Sequence, residues 1–106
     1  MLRFVETSVF TRALLETLDD EGYRQIQTAL GLRPESGSVI RGSGGLRKLR
    51  WREGARGKRG GLRVIYHWVP SESVIYLLFM YRKSHQGDLT TTQLRALQRL
   101  VREELP

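Results

Sequence analysis

The sequence predicts an α+β domain: a helical pair packed on a mostly antiparallel, twisted sheet, closed by one further helix. Three observations lead there. Two apolar helical stripes stand almost back to back near the N-terminus, and three strand-like segments then follow in succession. The last two of these are apolar on both faces, which places them inside a sheet covered on both sides. A final amphipathic segment supplies more cover. The expected order is β-α-α-β-β-β-α, with residues 1–106 forming one domain.

The first element is "LRFVET" (residues 2–7), weakly alternating and rich in strand formers. Phe10, Leu14 and Leu18 then recur at i, i+4, i+8, one face of a helix. Asp19, Asp20 and Glu21 suit the first turn of a second helix, where the backbone dipole is positive. Its apolar face is Tyr23, Ile26 and Leu30, and Gly31 and Pro34 are expected to end it. Residues 31–45, with five glycines and Pro34, read as loop.

"LRKLRWR" puts Arg47, Leu49 and Trp51 on one face and Lys48, Arg50 and Arg52 on the other. "LRVIYHWV" (62–69) and "SVIYLLFMYRK" (73–83) are the two-sided strands, joined by a turn at "PSES". Alternation sets His67 beside Arg63 and Ile65, with Tyr66 facing the other way. Tyr66 and His67 read as sheet residues, and Trp51 and Trp68 as core. After "SHQGD", Thr90 and Gln93 fit a capping box. The helix they open carries the stripe Leu94, Leu97, Val101 and Leu105.

The composition is globular, with 40% hydrophobic and 27% charged residues. The net charge is +7, and residues 41–63 carry all of the excess: nine Lys and Arg against Glu53 alone. Such a bias favours a polyanionic partner, whether nucleic acid, an anionic membrane surface or an acidic protein. There is no cysteine, which excludes disulfides and thiolate metal sites. With only His67 and His85 and no carboxylate cluster, no metal site is expected, and no cofactor. The first ten residues lack the apolar core of a signal peptide. No run approaches the roughly twenty apolar residues that span a bilayer. A cytoplasmic location without a membrane partner is expected.

"GARGKRGG" fails as a nucleotide-binding loop, which needs four residues between its first glycine and Gly-Lys, then Ser or Thr. Here two residues intervene and Arg59 follows Lys58. Glycines 54, 57, 60 and 61 would instead let backbone and cations approach a phosphate chain closely.

"GGLRKLR", "GKRGGLRVIYHW" and "YLLFMYRKSHQGDLTTTQ" together resemble the RelE/ParE superfamily of toxins, in particular the HigB-type branch of type II toxin–antitoxin systems. The likeness spans about residues 39–94, and the N-terminal strand and helical pair match by layout. It implies a compact RelE-like fold and a ribosome-dependent mRNA endoribonuclease, or mRNA interferase, that inhibits translation. It implies metal-independent attack of the ribose 2′-hydroxyl on the phosphodiester. It also implies a cognate helix-turn-helix antitoxin, HigA-type, encoded by an adjacent gene.

Carried onto this sequence, the resemblance gives Arg63 as the arginine that holds the scissile phosphate, its guanidinium able to bond two oxygens at once. Lys58 falls in the family's basic loop and joins the catalytic candidates, as does Lys83, the second cation of the cleft. Tyr81 could stack on a base or donate a proton. His85 is the side-chain type suited to proton transfer at neutral pH. Arg47, Lys48, Arg50, Arg56 and Arg59 make up the expected RNA- and phosphate-binding surface. The better-studied RelE pattern has a tyrosine further along, near Leu89 here, so the proton carrier stays open between His85 and Tyr81. Two rival functions stand beside mRNA cleavage: a gyrase-inhibiting ParE-like toxin on the same fold, which needs no nuclease residues, and a non-catalytic RNA- or protein-binding module. The retained Arg63, Lys58, Arg59 and Lys83 favour the nuclease.

Overall fold

The computed structural model describes residues 1–52 and 61–105. The chain runs β1 (Arg3–Glu6), α1 (Ser8–Thr17), α2 (Asp20–Leu32), β2 (Ser38–Val39), β3 (Arg47–Trp51), β4 (Leu62–Val69), β5 (Val74–Arg82) and α3 (Thr91–Glu104). A single 3-10 turn, Pro70–Glu72, joins β4 to β5. The sheet order is β1-β5-β4-β3-β2. β1 pairs with β5 in parallel, and every other neighbour is antiparallel. No helix among the described residues is long and apolar enough to cross a membrane.

Both early helices are set by side-chain caps, each worth about 1 kcal/mol. Thr7 Oγ1 accepts from the Phe10 amide at 3.0 Å and donates to the Leu78 carbonyl at 2.8 Å, which ties the start of α1 to β5. Asp19 accepts from the Gly22 amide at 2.8 Å and opens α2. That helix continues through Gly31 to Leu32, one residue past the expected stop. Pro34 ends it instead, because a residue before proline is pushed out of the helical region; Arg33 lies at φ −142°, ψ 83°.

The sheet is covered on both faces, as the two-sided strands require. On one face Phe10, Leu14, Ile26 and Leu30 of the helical pair pack on Leu49, Leu62, Val64, Tyr66, Ile75, Leu77 and Met80. Trp51 and Trp68 join this core as packing residues. On the other face, Leu94, Leu97, Leu100 and Val101 of α3 and its capping residue Leu105 lie over Leu46, Ile65, Leu78 and Tyr81. Fully burying one such aliphatic side chain contributes about 1.5–3 kcal/mol. The predicted capping box is present: Thr90 Oγ1 accepts from the Gln93 amide at 3.0 Å, and Gln93 Oε1 accepts from the Thr90 amide at 2.9 Å.

Two features depart from the expected layout. The first is β2, in the stretch read as loop. The buried Tyr66 hydroxyl accepts from the Gly37 amide at 2.9 Å and donates to the Pro34 carbonyl at 2.7 Å. Arg47 donates to the Gly37 and Glu35 carbonyls at 2.7 and 3.1 Å. These anchors hold the 34–37 segment flat, so that Ser38 and Val39 pair with Lys48 and Arg47. Gly37 is required there: a Cβ would stand 2.7 Å from Tyr66 Cε1.

The second is a bulge in β5. Ile65 pairs with Phe79 and Tyr66 with Leu77, leaving Leu78 as an extra residue. Before the bulge, Ile75 and Leu77 face the helical pair; after it, Met80 does and Tyr81 faces α3. Counting by twos from Ile75 would have sent Tyr81 to the helical-pair side. The bulge therefore sets the side on which Tyr81 appears.

Candidate active site

Three residues on adjacent strands form one row across the sheet. Arg50 of β3 stands directly opposite Arg63 of β4, and Arg63 stands opposite Tyr81 of β5. Arg50 is exposed, Arg63 half-buried and Tyr81 buried. The row lies on the α3 face of the sheet. Like charges directly opposite each other destabilise a strand pair. Among the described residues no acid pairs with either arginine; the Arg63 guanidinium donates only to the Leu62 carbonyl, at 3.1 Å. Two guanidinium groups side by side, with no acid partner among the described residues, are an arrangement suited to holding an anion.

Asp88, which sequence reasoning did not single out, closes the row at the tyrosine end. Its Oδ1 accepts from the Leu89 amide at 2.8 Å, from Lys48 Nζ at 3.3 Å and from the Tyr81 hydroxyl at 3.4 Å. The Leu89 amide and the Lys48 ammonium hold the Asp88 carboxyl below the usual carboxylate range. Burial, and then the charge of Asp88, raise the Tyr81 pKa, against a smaller opposing pull from Arg63 and Arg50. Tyr81 is therefore a neutral phenol at physiological pH. In this state its hydroxyl proton points to the Asp88 carboxylate.

Among the described residues the candidates fall into three groups. Lys48 and Tyr81 meet at Asp88, Arg50 lines the same pocket as Lys48 and Asp88, and Arg63 stands between Arg50 and Tyr81. Arg47 is on the opposite face, with Leu49, and its guanidinium is engaged in holding the 35–37 backbone; it stands apart from the cation group. Lys83 and His85 lie in the exposed turn just after β5, and the Lys83 amide donates to the Gly61 carbonyl at 3.2 Å. Lys58, Arg56 and Arg59 lie outside the described residues.

Gly61, where the chain enters β4, has its own reason to be glycine. It sits at φ +40°, and a Cβ would come within 2.6 Å of the Trp51 carbonyl oxygen. Its backbone freedom serves the close pass between β3 and β4. Tyr66 and His67 are sheet residues, with His67 stacked on Tyr76 at 6.3 Å between ring centroids. Among the described residues, no three His, Asp or Glu side chains converge as a metal site.

A five-stranded sheet with one parallel edge pair, a helical pair on one face and a C-terminal helix on the other has solved counterparts. A mutant of the E. coli toxin RelE in the free state matches with a TM-score of 0.57 over 98% of this chain and 98% of its own, at 16% identity. This chain has the RelE fold. The isolated E. coli RelE toxin matches with a TM-score of 0.57 over 94% of this chain and 99% of its own, at 13% identity. The intact E. coli RelBE toxin–antitoxin complex matches with a TM-score of 0.57 over 77% of this chain and 96% of the matched chain, at 14% identity. No family model matches the sequence. On this RelE-type scaffold, the row of Arg50, Arg63 and Tyr81 runs across the middle strands, between the β2 edge and α3.

Proposed function

We propose that this chain is the toxin of a type II toxin–antitoxin system, a single-domain mRNA endoribonuclease of the HigB branch acting on the ribosome in the cytoplasm. The observation that carries this reading is the row of two arginines, neither ion-paired to an acid among the described residues, ending in a neutral tyrosine. In-line transfer needs a clamp for the phosphate, stabilisation of charge developing on its oxygens and an acid for the leaving group.

In the reaction, a base takes the proton of the ribose 2′-hydroxyl, and that oxygen attacks phosphorus. The bond to the 5′-oxygen breaks, leaving a 2′,3′-cyclic phosphate and a new 5′-hydroxyl. Arg63 grips the non-bridging oxygens with both prongs, and Arg50 adds charge beside it. Tyr81, held by Asp88, protonates the departing 5′-oxygen. Lys58 and His85 are the candidates for the base, and Lys83 adds a cation near the cleft. Arg56 and Arg59 extend the phosphate-binding surface through the basic loop. No metal takes part. The partner that restrains the toxin is a HigA-type helix-turn-helix antitoxin.

Induced expression without the partner tests the function directly. Growth should stop, and primer extension should reveal cuts within translated messages carrying 2′,3′-cyclic phosphate ends. Co-expression of a helix-turn-helix gene adjacent in the genome should restore growth. Normal growth with verified soluble protein, or arrest with intact messages and poisoned gyrase, would refute the nuclease reading.

A further inference from the structure

A pocket of about 480 Å³ borders the cationic row. Val39, Ile40, Leu89 and Leu94 give it apolar walls, and Lys48, Arg50 and Asp88 give it polar ones. Val39 stays 55% exposed, a large apolar side chain left open on the edge strand. Arg50 belongs both to the pocket and to the row opposite Arg63. The hydrogen bonds that the Asp88 carboxylate accepts from described residues all fall on Oδ1, which leaves Oδ2 as an available acceptor.

We infer that this pocket receives one nucleobase of the bound RNA, next to the phosphate held by Arg63, and selects bases that carry an exocyclic amino group over uracil. The inference rests on the RNA-cleaving reading of the neighbouring row. A splayed-out base needs apolar surface for its faces and a polar group for its edge. The four apolar residues supply the first and Asp88 the second. Lys48 and Arg50, at the same pocket, neutralise the phosphate that accompanies the base.

The selectivity follows from the chemistry of the carboxylate. An ionised aspartate only accepts hydrogen bonds. Cytosine presents an N4 amino group and adenine an N6 amino group, and carboxylates accept from such donors. Uracil presents a carbonyl oxygen where cytosine has its amino group. That oxygen and the carboxylate repel. A well-placed contact of this kind discriminates by roughly tenfold to a hundredfold.

The test compares oligo-C with oligo-U, two pyrimidines of equal ring size that differ at this group. Short 5′-fluorescein-labelled, 2′-O-methylated strands cannot be cut, so fluorescence anisotropy reads binding alone. The wild-type chain should bind oligo-C at least tenfold more tightly than oligo-U. Asp88→Asn, whose carboxamide can donate to the uracil carbonyl, should narrow or reverse that ratio. The ratio cancels any general loss of affinity that this variant suffers. Val39→Glu, which places a charge on the apolar wall, should weaken both strands alike.

Equal binding of the two strands by the wild type, no binding of either, or a ratio unchanged in Asp88→Asn overturns the inference. The nuclease reading fails separately. A chain that prefers oligo-C yet leaves messages intact on ribosomes keeps the pocket and loses the reaction. A chain that cuts messages but binds both strands equally loses the pocket alone.

Discussion

Arg63→Ala separates what the row does for chemistry from what it does for the fold. Arg63 faces Arg50 on one side and Tyr81 on the other, and its guanidinium's one hydrogen bond to a described residue goes to the adjacent Leu62 carbonyl. Removing it breaks no ion pair among the described residues. It relieves a like-charge opposition worth roughly 0.2–1 kcal/mol. Stability should therefore hold or rise slightly in urea denaturation. Catalysis should respond very differently. Taking away one preorganised donor to the developing charge typically lowers the rate about 100- to 1,000-fold, or about 2.7–4 kcal/mol of transition-state stabilisation. Arg63→Lys should recover only part, since a point charge cannot reproduce a two-pronged contact. The assay is single-turnover cleavage of a message on programmed ribosomes, with circular dichroism confirming the fold of each variant. A folded Arg63→Ala protein that cuts at the wild-type rate refutes the proposed site. A stability loss of several kcal/mol refutes the view that Arg63 is spare to the fold.

Tyr66→Phe should cost about 1–3 kcal/mol in urea melts, because the buried Gly37 amide and the Pro34 carbonyl both lose their partner. Asp88→Asn should lower the ionisation midpoint of Tyr81 in an ultraviolet pH titration, since the carboxylate charge that disfavours the phenolate is gone. The accompanying stability effect has a definite sign. A raised folded-state pKa makes the Tyr81 contribution complete below the ordinary tyrosine value of about 10, with loss as the pH climbs through the folded value. Replacing Lys58 and Arg59 together with alanine should flatten the salt dependence of RNA binding, and an unchanged slope would place the phosphate contacts elsewhere.

Much of the fold is legible in the sequence where local chemistry decides it. The apolar run 62–69 predicts a strand and forms β4 with the same bounds. Thr90 and Gln93 announce α3 through a cap that involves only residues of its first turn. β2 was not legible, because Ser38 and Val39 are both exposed and owe their pairing to Tyr66 and Arg47 from distant strands. The end of α2 was misplaced for a different reason. Gly31 adopts helical geometry here and does not act as a cap, while Pro34 restricts the residue before it.

The site divides in the same way. The charge bias drew notice to Lys48, Arg50 and Arg63, and alternation put Lys48 and Arg50 on one face. Alternation also sets Arg47 on the opposite face, but its anchoring role is not legible there, since it depends on carbonyls ten and twelve residues away. Asp88 reads as one polar residue in a turn until folding brings it to Lys48, forty positions distant in the chain.

The extra residue in β5 also bears on how this strand compares with others. The halves before and after Leu78 obey opposite parities: odd-numbered Ile75 and Leu77 point one way, and so does even-numbered Met80. An ungapped alignment with a strand lacking the bulge would match inward positions to outward ones in one of the two halves. It would score core residues against surface residues and miss the counterpart of Tyr81. A one-residue gap at Leu78 restores both halves together. In a chain that shares only 13–16% identity with its structural counterparts, an error of that size at the site itself is enough to hide equivalent residues from sequence comparison.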